Sequence, residues 1–334
     1  MPPLVVDVME AQRAALLRAD EAAQRLMAAR WLEVERELQA QVDALALELA
    51  GGEGAPSIYQ LSRVRRYQAL REQIDAQMGR YASYVEGDIR RRQLDAGLQA
   101  IDQSSLAIQA AGADAGIALQ FDRLPVASVE RMVGLAGDGS PLRDVLASAG
   151  RVGPERLGEE LVKGLALGLN PREIAQRALR QGLATSLTRM MTIARTEVIR
   201  VARQTTQENY RHSRVVRGYR RVAAKSRRTC VACLALDGRE YALDVAFEEH
   251  PNGRCTMIPV LIRGEPAQFL TGREWFGQQS EAIQRSMMGR GRWELWRDGR
   301  IGWDDLVTMH EDETWGNSPQ VTPVGVLRGG AGRE

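Results

Sequence analysis

The chain has 334 residues, of which 44 % are hydrophobic and 26 % charged, a balance typical of globular proteins. Its net charge is only +2, it contains no run of 18 apolar residues, and three cysteines are too few for a secreted disulfide framework. These properties exclude a membrane-spanning protein and a disulfide-stabilised one. We therefore expect a soluble protein made in a reducing cytoplasm, with its core divided between two or more domains.

Two long helix-forming segments occupy the first third of the chain. Residues 7–50 contain neither Pro nor Gly, and their apolar residues from Trp31 to Leu49 recur at intervals of three and four. The loop-forming sequence GGEGAPS follows, and the same apolar spacing returns over residues 58–111. Two amphipathic helices joined by a short loop predict an antiparallel helical hairpin, which we place within residues 1–115.

The rest of the chain divides into three further predicted segments. Residues 116–212 are expected to form shorter helices, one of them capped by Asn170 with Pro171 at its first position. Residues 213–263 show strand-like patterns at 215–224 and 233–243, the second of which contains the turn-forming pair Asp237-Gly238, and the sequence CTMIPVLI at 255–262 predicts another strand. Residues 264–334 form a mixed C-terminal extension. The predicted fold class is α+β, mainly α, with a small β-hairpin metal-binding subdomain.

All three cysteines lie close to one of the three histidines. Cys230 and Cys233 are separated by two residues, and His250 and Cys255 follow beyond the predicted turn. Three thiolates and one imidazole form a complete tetrahedral set for Zn²⁺, and a set without an open position indicates a structural site. The alternatives are a Cys230–Cys233 disulfide with a surface histidine, and three small buried apolar side chains.

The order of several motifs resembles the phage Mu protein F-like family of minor head-morphogenesis proteins. These motifs are ARTE at 194–197, Asn209, TCxxCxxxDG at 229–238 and HPNGRCTxxP at 250–259. The sequences TGREWF and LWRDGRI are similar to C-terminal extensions of such proteins. Members often have Cys at the position of Gly253, so this chain departs from the family at one candidate ligand.

The resemblance implies a component of the procapsid or virion that assembles in the host cytoplasm. It implies the portal protein and the major capsid or scaffold protein as partners, with packaged DNA as a further candidate. Residues 189–228 carry twelve basic residues against two acidic ones, an excess that suits phosphates or an acidic protein surface. The candidate contact residues are Arg195, Arg200, Arg203, Arg211, Arg214 and Arg217. A solvated helix face explains them equally well.

No sequence motif of a common hydrolase, metalloprotease or nucleotide-binding loop is present, so we expect no enzymatic activity. A zinc-supported nuclease or toxin-like protein is one alternative function, since phage Mu protein F-like regions also occur fused to toxins. It would need a catalytic group beyond the zinc ligands, and His212 and His310 stand outside any such motif. Glu197, among arginines, is more simply an ion-paired carboxylate. A DNA-binding module scaffolded by zinc is the other alternative.

Overall fold

The computed structural model describes residues 3–52, 54–312 and 315–330. The protein is mainly α-helical with two small antiparallel sheets, which confirms the predicted fold class. The α-helices are α1 (Leu4–Ala50), α2 (Ile58–Ser62), α3 (Arg65–Asp114), α4 (Val126–Glu130), α5 (Leu142–Ala166), α6 (Pro171–Arg177), α7 (Ala184–Ser213), α8 (Val231–Leu236), α9 (Gly272–Gly277), α10 (Glu281–Met288), α11 (Arg290–Arg297) and α12 (Val324–Gly330). A π-helix, Ala178–Leu183, joins α6 to α7.

The strands form two separate antiparallel sheets. They are β1 (Val216–Val222), β2 (Glu240–Ala242), β3 (Thr256–Leu261), β4 (Val307–Asp312) and β5 (Gly316–Val321). The first sheet has the order β2-β1-β3, and Tyr219 at its centre faces Tyr241 on one side and Pro259 on the other. The second sheet is the β4–β5 hairpin.

The contacts divide the chain into two compact units that alternate along the sequence. Unit 1 comprises Met1–Leu17, Gln93–Val133 and Val198–Glu334, and unit 2 comprises Arg18–Arg92 and Gly134–Glu197. These units differ from the four consecutive segments predicted from the sequence, because α1, α3 and α7 each contribute residues to both. Local periodicity identifies such helices but does not indicate where along a helix its packing partners change.

Unit 2 contains most of the predicted helical hairpin. Its α1 and α3 portions run antiparallel: the Trp31 and Tyr81 rings meet edge to face at 5.0 Å, and Arg92 pairs with Asp20 at 3.3 Å. The predicted apolar seam is buried, from Trp31 and Leu38 on α1 to Ile74 on α3. Helix α6 begins as predicted, since the Asn170 side chain accepts a hydrogen bond from the Glu173 backbone and Pro171 follows it.

Unit 1 holds two apolar clusters that meet beside the cysteines. The first surrounds the three-stranded sheet, where Tyr219 and Met257 pack with Tyr210 of α7. The second combines Cys233 and Cys255 with the tryptophan-rich C-terminal elements around Phe276. Phe247 packs against both clusters. The cysteine region therefore lies at the junction of these two clusters.

One predicted strand is wrong. Residues 231–236 form helix α8, whose first turn is capped by Cys230, because the Cys230 side chain accepts a hydrogen bond from the Cys233 backbone N–H at 3.3 Å. A short apolar run does not distinguish a buried helix from a buried strand, so the sequence pattern was ambiguous here. The Asp237-Gly238 turn is present, with Gly238 at φ +83°, but it leads from α8 into β2.

Among the helices of the described residues, none combines the length and the apolar character that a membrane crossing requires.

Candidate metal centre

Three elements of unit 1 bring the predicted zinc ligands together. Cys230 caps helix α8 and Cys233 lies in its first turn. His250 lies in the loop between β2 and β3, and Cys255 directly precedes β3. Since β2 and β3 both pair with β1, the sheet fixes the two ends of this loop and directs it towards α8.

The candidate ligand atoms form two overlapping groups that share Cys233. Cys230, Cys233 and His250 make up one group, and Cys233, Glu249 and Cys255 the other, with the ligand atoms of each group within 4.8 Å of one another. His250 Nε2 lies 3.4 Å from Cys230 Sγ and 3.2 Å from Cys233 Sγ. With Zn–S near 2.3 Å and Zn–N near 2.05 Å, tetrahedral coordination places sulfur and nitrogen about 3.6 Å apart. The spacing of Cys230, Cys233 and His250 therefore fits Zn²⁺, and Cys255 lies close to this group through its neighbour Cys233.

The second nitrogen of His250 selects the tautomer that metal binding requires. Nδ1 lies 2.9 Å from the carbonyl oxygen of Pro251, an acceptor, so the ring proton resides on Nδ1. Nε2 then carries a free lone pair, and this lone pair faces the sulfur atoms. A histidine whose other nitrogen donates to a backbone carbonyl is typical of metal ligands.

The three cysteines are free, which rules out the disulfide alternative in this structure. Hydrogen bonding to the Cys233 side chain, together with the Cys233 backbone N–H, lowers the pKa of the Cys230 thiol. The pKa of Cys233 is raised by its hydrogen bond to Cys230 and by burial, and that of Cys255 by its hydrogen bond to Cys233 and by burial. A bound metal ion would lower the pKa of these two buried thiols, because the ion stabilises their thiolate forms.

Glu249 is a component of the centre that the sequence did not reveal. Its Oε1 lies 3.5 Å from Cys233 Sγ and 3.4 Å from His250 Nε2, and its Oε2 lies 2.7 Å from Arg221 Nη2. Burial raises the pKa of Glu249, but Arg221 and Arg203 outweigh burial and lower it to about 2. The carboxylate is therefore ionised. Its position next to His250 was the only signal, and the pair Glu248-Glu249 in a sequence resembles ordinary surface charge.

The absence of a side chain at Gly253 makes room for this carboxylate. A Cβ atom at position 253 would lie 2.1 Å from Glu249 Cγ and 2.3 Å from Glu249 Cδ, far inside van der Waals contact. The glycine at which this chain departs from the family pattern is therefore required by the position of Glu249.

Two buried arginines hold the ligand-bearing loop by its backbone. Arg203 of α7 donates to the carbonyl oxygens of Gly253 and Cys255, each at 2.8 Å, and Arg221 of β1 donates to that of Glu248 at 2.7 Å. Both guanidinium groups lie over the Phe247 ring, at 5.3 and 4.5 Å. Burial lowers the pKa of Arg203, although Glu249 opposes it; for Arg221 the nearby Glu249 prevails over burial and raises the pKa. Both remain charged.

The predicted basic contact residues have different surroundings. Arg203 lies at the candidate metal centre with a side chain only 10 % exposed, and Arg195 pairs with the buried Asp20 of unit 2. Arg200 is half-buried and donates to Gln204. Arg211, Arg214 and Arg217 are exposed. Of these, Arg211 pairs with Glu208 and Arg217 with Glu240.

Asn209, another residue of the motif order, is a buried structural link. Its side-chain oxygen accepts from the Leu124 backbone at 2.8 Å, and its nitrogen donates to Ser104 at 2.7 Å and lies 3.1 Å from Ser105. It thereby joins α7 to the end of α3 and to the segment before α4. The remaining histidines, His212 and His310, are exposed at the end of α7 and on β4.

Comparison with known protein families identifies a match to part of the chain. The model of the family described as phage Mu protein F like protein matches residues 155–258. This range contains α6, α7, β1, β2, the start of β3 and all four predicted ligands, and it confirms the resemblance drawn from the sequence motifs. No curated protein and no solved structure matches the chain.

Proposed function

We propose that this chain is a minor head protein that joins the procapsid at the portal, and the support is the match of residues 155–258 to the model of the phage Mu protein F-like family. The family indicates a phage head morphogenesis protein, which belongs with capsid components. The finer assignment is a low-copy structural protein of the head interior, in contact with the portal and with capsid or scaffold protein. The family match is the observation that carries it.

The experiment is to locate the chain in purified particles. Particles made with a tagged copy would be imaged, and their protein composition compared with that of particles lacking the gene. We expect density next to the portal and a defect in head assembly or DNA content when the gene is absent. Normal particles without the protein, or a tagged protein that never enters them, would contradict the proposal.

We also propose that the centre holds one structural Zn²⁺ through Cys230, Cys233, His250 and Cys255. The support is the clustering of the donors, their spacing near that of a tetrahedral site, and the tautomer of His250. Bound zinc would link α8 to the loop before β3 and so close the junction between the two apolar clusters. Elemental analysis of protein purified without chelator tests this part independently of the particle experiment.

A non-catalytic role is part of the same proposal. Its support is that three cysteines and one histidine would supply a complete tetrahedral set, which leaves no open coordination position for water or substrate. Glu249 is paired with two arginines, which does not suit a general base, and His212 and His310 lie at exposed positions on other elements. A nuclease assay on the zinc-loaded protein checks this, and metal-dependent cleavage of DNA or RNA would contradict it.

A further inference from the structure

The metal centre is surrounded by more positive than negative buried charge. The side chains of Arg203, Arg221 and Glu249 are 10 %, 4 % and 4 % exposed, and the two guanidinium groups share the single carboxylate, at 3.7 and 2.7 Å from its Oε2. The neighbouring buried pair, Lys225 with Asp237, is neutral in sum. Among these five buried side chains the positive charges outnumber the negative charges by one, an arrangement that is unfavourable in a low-dielectric interior unless a further negative charge lies beside it.

The charge of a metal–thiolate group depends on how many thiolates bind the ion. A divalent ion with three thiolates and a neutral imidazole carries one negative charge in total, whereas the same ion with two thiolates is neutral. Only the three-thiolate centre compensates the excess positive charge of the arginines. The thiols lie beside these charges, since the Cys255 carbonyl oxygen accepts from Arg203 at 2.8 Å and Cys233 Sγ lies 3.5 Å from Oε1 of the carboxylate that both arginines share.

We propose that Arg203 and Arg221 are the counter-charges of an anionic zinc centre, and that with Glu249 they select a site with three thiolate ligands. This inference rests on the proposed zinc site and is independent of the head-protein assignment. The arginines are positioning residues, since they act on the ion through its ligands. Because Arg203 belongs to α7 and Arg221 to β1, the charge balance also couples metal loading to those two elements.

The wild-type protein alone provides a first test. Replacing zinc with Co²⁺ gives thiolate-to-cobalt charge-transfer bands whose intensity increases with the number of bound thiolates. We expect the intensity of a three-thiolate centre, in full-length protein with one cobalt ion bound. A two-thiolate spectrum would overturn the inference, because the positive charge would then remain uncompensated.

Substitutions of Arg203 separate the effect of its charge on zinc affinity from the effect of its packing. Arg203→Met removes the charge but keeps an apolar side chain, and we expect zinc affinity, measured by competition with a chelator, to fall at least tenfold. Adding Glu249→Gln in the same chain restores the original net charge without restoring the lost hydrogen bonds, and we expect most of the affinity to return. Arg203→Lys retains the charge and should bind zinc far better than Arg203→Met. Arg200→Met, one turn earlier on α7, is the matched control and should bind as the wild type does.

If Arg203 had a purely structural role, the zinc affinities of these variants would follow a different order. If the arginine only holds the loop, the double variant should bind zinc as weakly as Arg203→Met or more weakly, and either result would overturn the inference. The inference would also be overturned if Glu249→Gln alone weakened zinc binding as much as Arg203→Met does. Should Arg203→Met fail to fold, the cobalt spectrum and the Arg203→Lys affinity still decide. A wild-type protein that binds neither metal would instead refute the zinc proposal itself, and the inference with it.

Discussion

At the residue scale, the zinc content of two histidine variants distinguishes a metal ligand from a surface side chain. His250→Ala removes the only nitrogen donor of the predicted set, so we expect zinc content to fall from about one ion per chain to less than a tenth of that. His310→Ala is the control, because His310 is exposed on β4 and should leave the zinc content unchanged. Elemental analysis after gel filtration measures both. Full zinc content in His250→Ala would show that this ring is not a ligand.

The glycine at 253 gives a second prediction at this scale. Gly253→Ala places a Cβ against the Glu249 side chain, and the required displacement should cost about 1–3 kcal/mol of unfolding free energy. Because the clash is with Glu249, the same substitution in a Glu249→Ala background should cost much less.

Chemical denaturation of the four proteins in this cycle measures the coupling. Gly87→Ala is the matched control, since nothing lies within 4 Å of its added Cβ on helix α3, and it should stabilise by about 0.5–1 kcal/mol. Equal costs of Gly253→Ala in both backgrounds would show that Glu249 does not occupy the space.

At the element scale, Asn209 is the residue through which α7 is joined to two other segments. Asn209→Ala would leave the Leu124 backbone N–H and the Ser104 hydroxyl without their buried partner, and we expect a loss of about 2–3 kcal/mol. Gln204→Ala, exposed one turn earlier, should change stability by less than about 0.5 kcal/mol. Thermal and urea unfolding measure both. A loss in Asn209→Ala no larger than in the control would contradict this role.

The long helices α1 and α3 were predictable because the apolar spacing that indicates a helix is repeated many times along each of them. The seam from Trp31 to Ile89 recurs every three or four residues, and the Asn170-Pro171 pair marks a helix start by local chemistry alone. Helix α8 was not predictable, since six mostly apolar residues fit either element and the deciding interaction is a cap by a cysteine side chain. Glu249 and Arg221 were missed because their pairing joins positions 28 residues apart, which no local pattern records.

The candidate site was predictable in its ligands but not in its surroundings. Cysteine and histidine are so rare in this chain that their clustering alone indicated the donor set. Arg203 was expected at a contact surface, because a basic helix face looks the same in sequence whether its arginines meet solvent or a buried carboxylate. Only tertiary packing, which covers Arg203 with the loop before β3, distinguishes the two.

At the scale of the whole molecule, the exposed arginines test the contact with capsid or DNA. Arg211→Glu, Arg214→Glu and Arg217→Glu together should leave the protein folded, because surface substitutions usually change stability by less than about 0.5 kcal/mol each. If these side chains meet phosphates or acidic capsid residues, we expect fewer copies per particle or less packaged DNA.

The control variant reverses the same number of charges on a different helix. Arg65→Glu, Arg71→Glu and Arg80→Glu alter three exposed arginines of α3, and particles carrying this variant should be normal. Copy number by quantitative mass spectrometry and DNA content by absorbance measure both triples. Normal filling and infection with the first triple would mean that these arginines are only solvated.

The alternation of the two units along the chain has a consequence for the order of events during synthesis. Every segment of unit 2 has left the ribosome soon after residue 197 is made, whereas unit 1 needs residues from both ends of the chain. Val5, Val6 and Met9 pack with Tyr219 and Met257, more than 200 residues later. The leading turns of α1 can pair with α3 once Asp114 is made, because its carboxylate accepts from the Leu4 and Val5 backbone. Their packing against the sheet must wait for Met257, and until then this apolar surface of the nascent chain stays partly exposed.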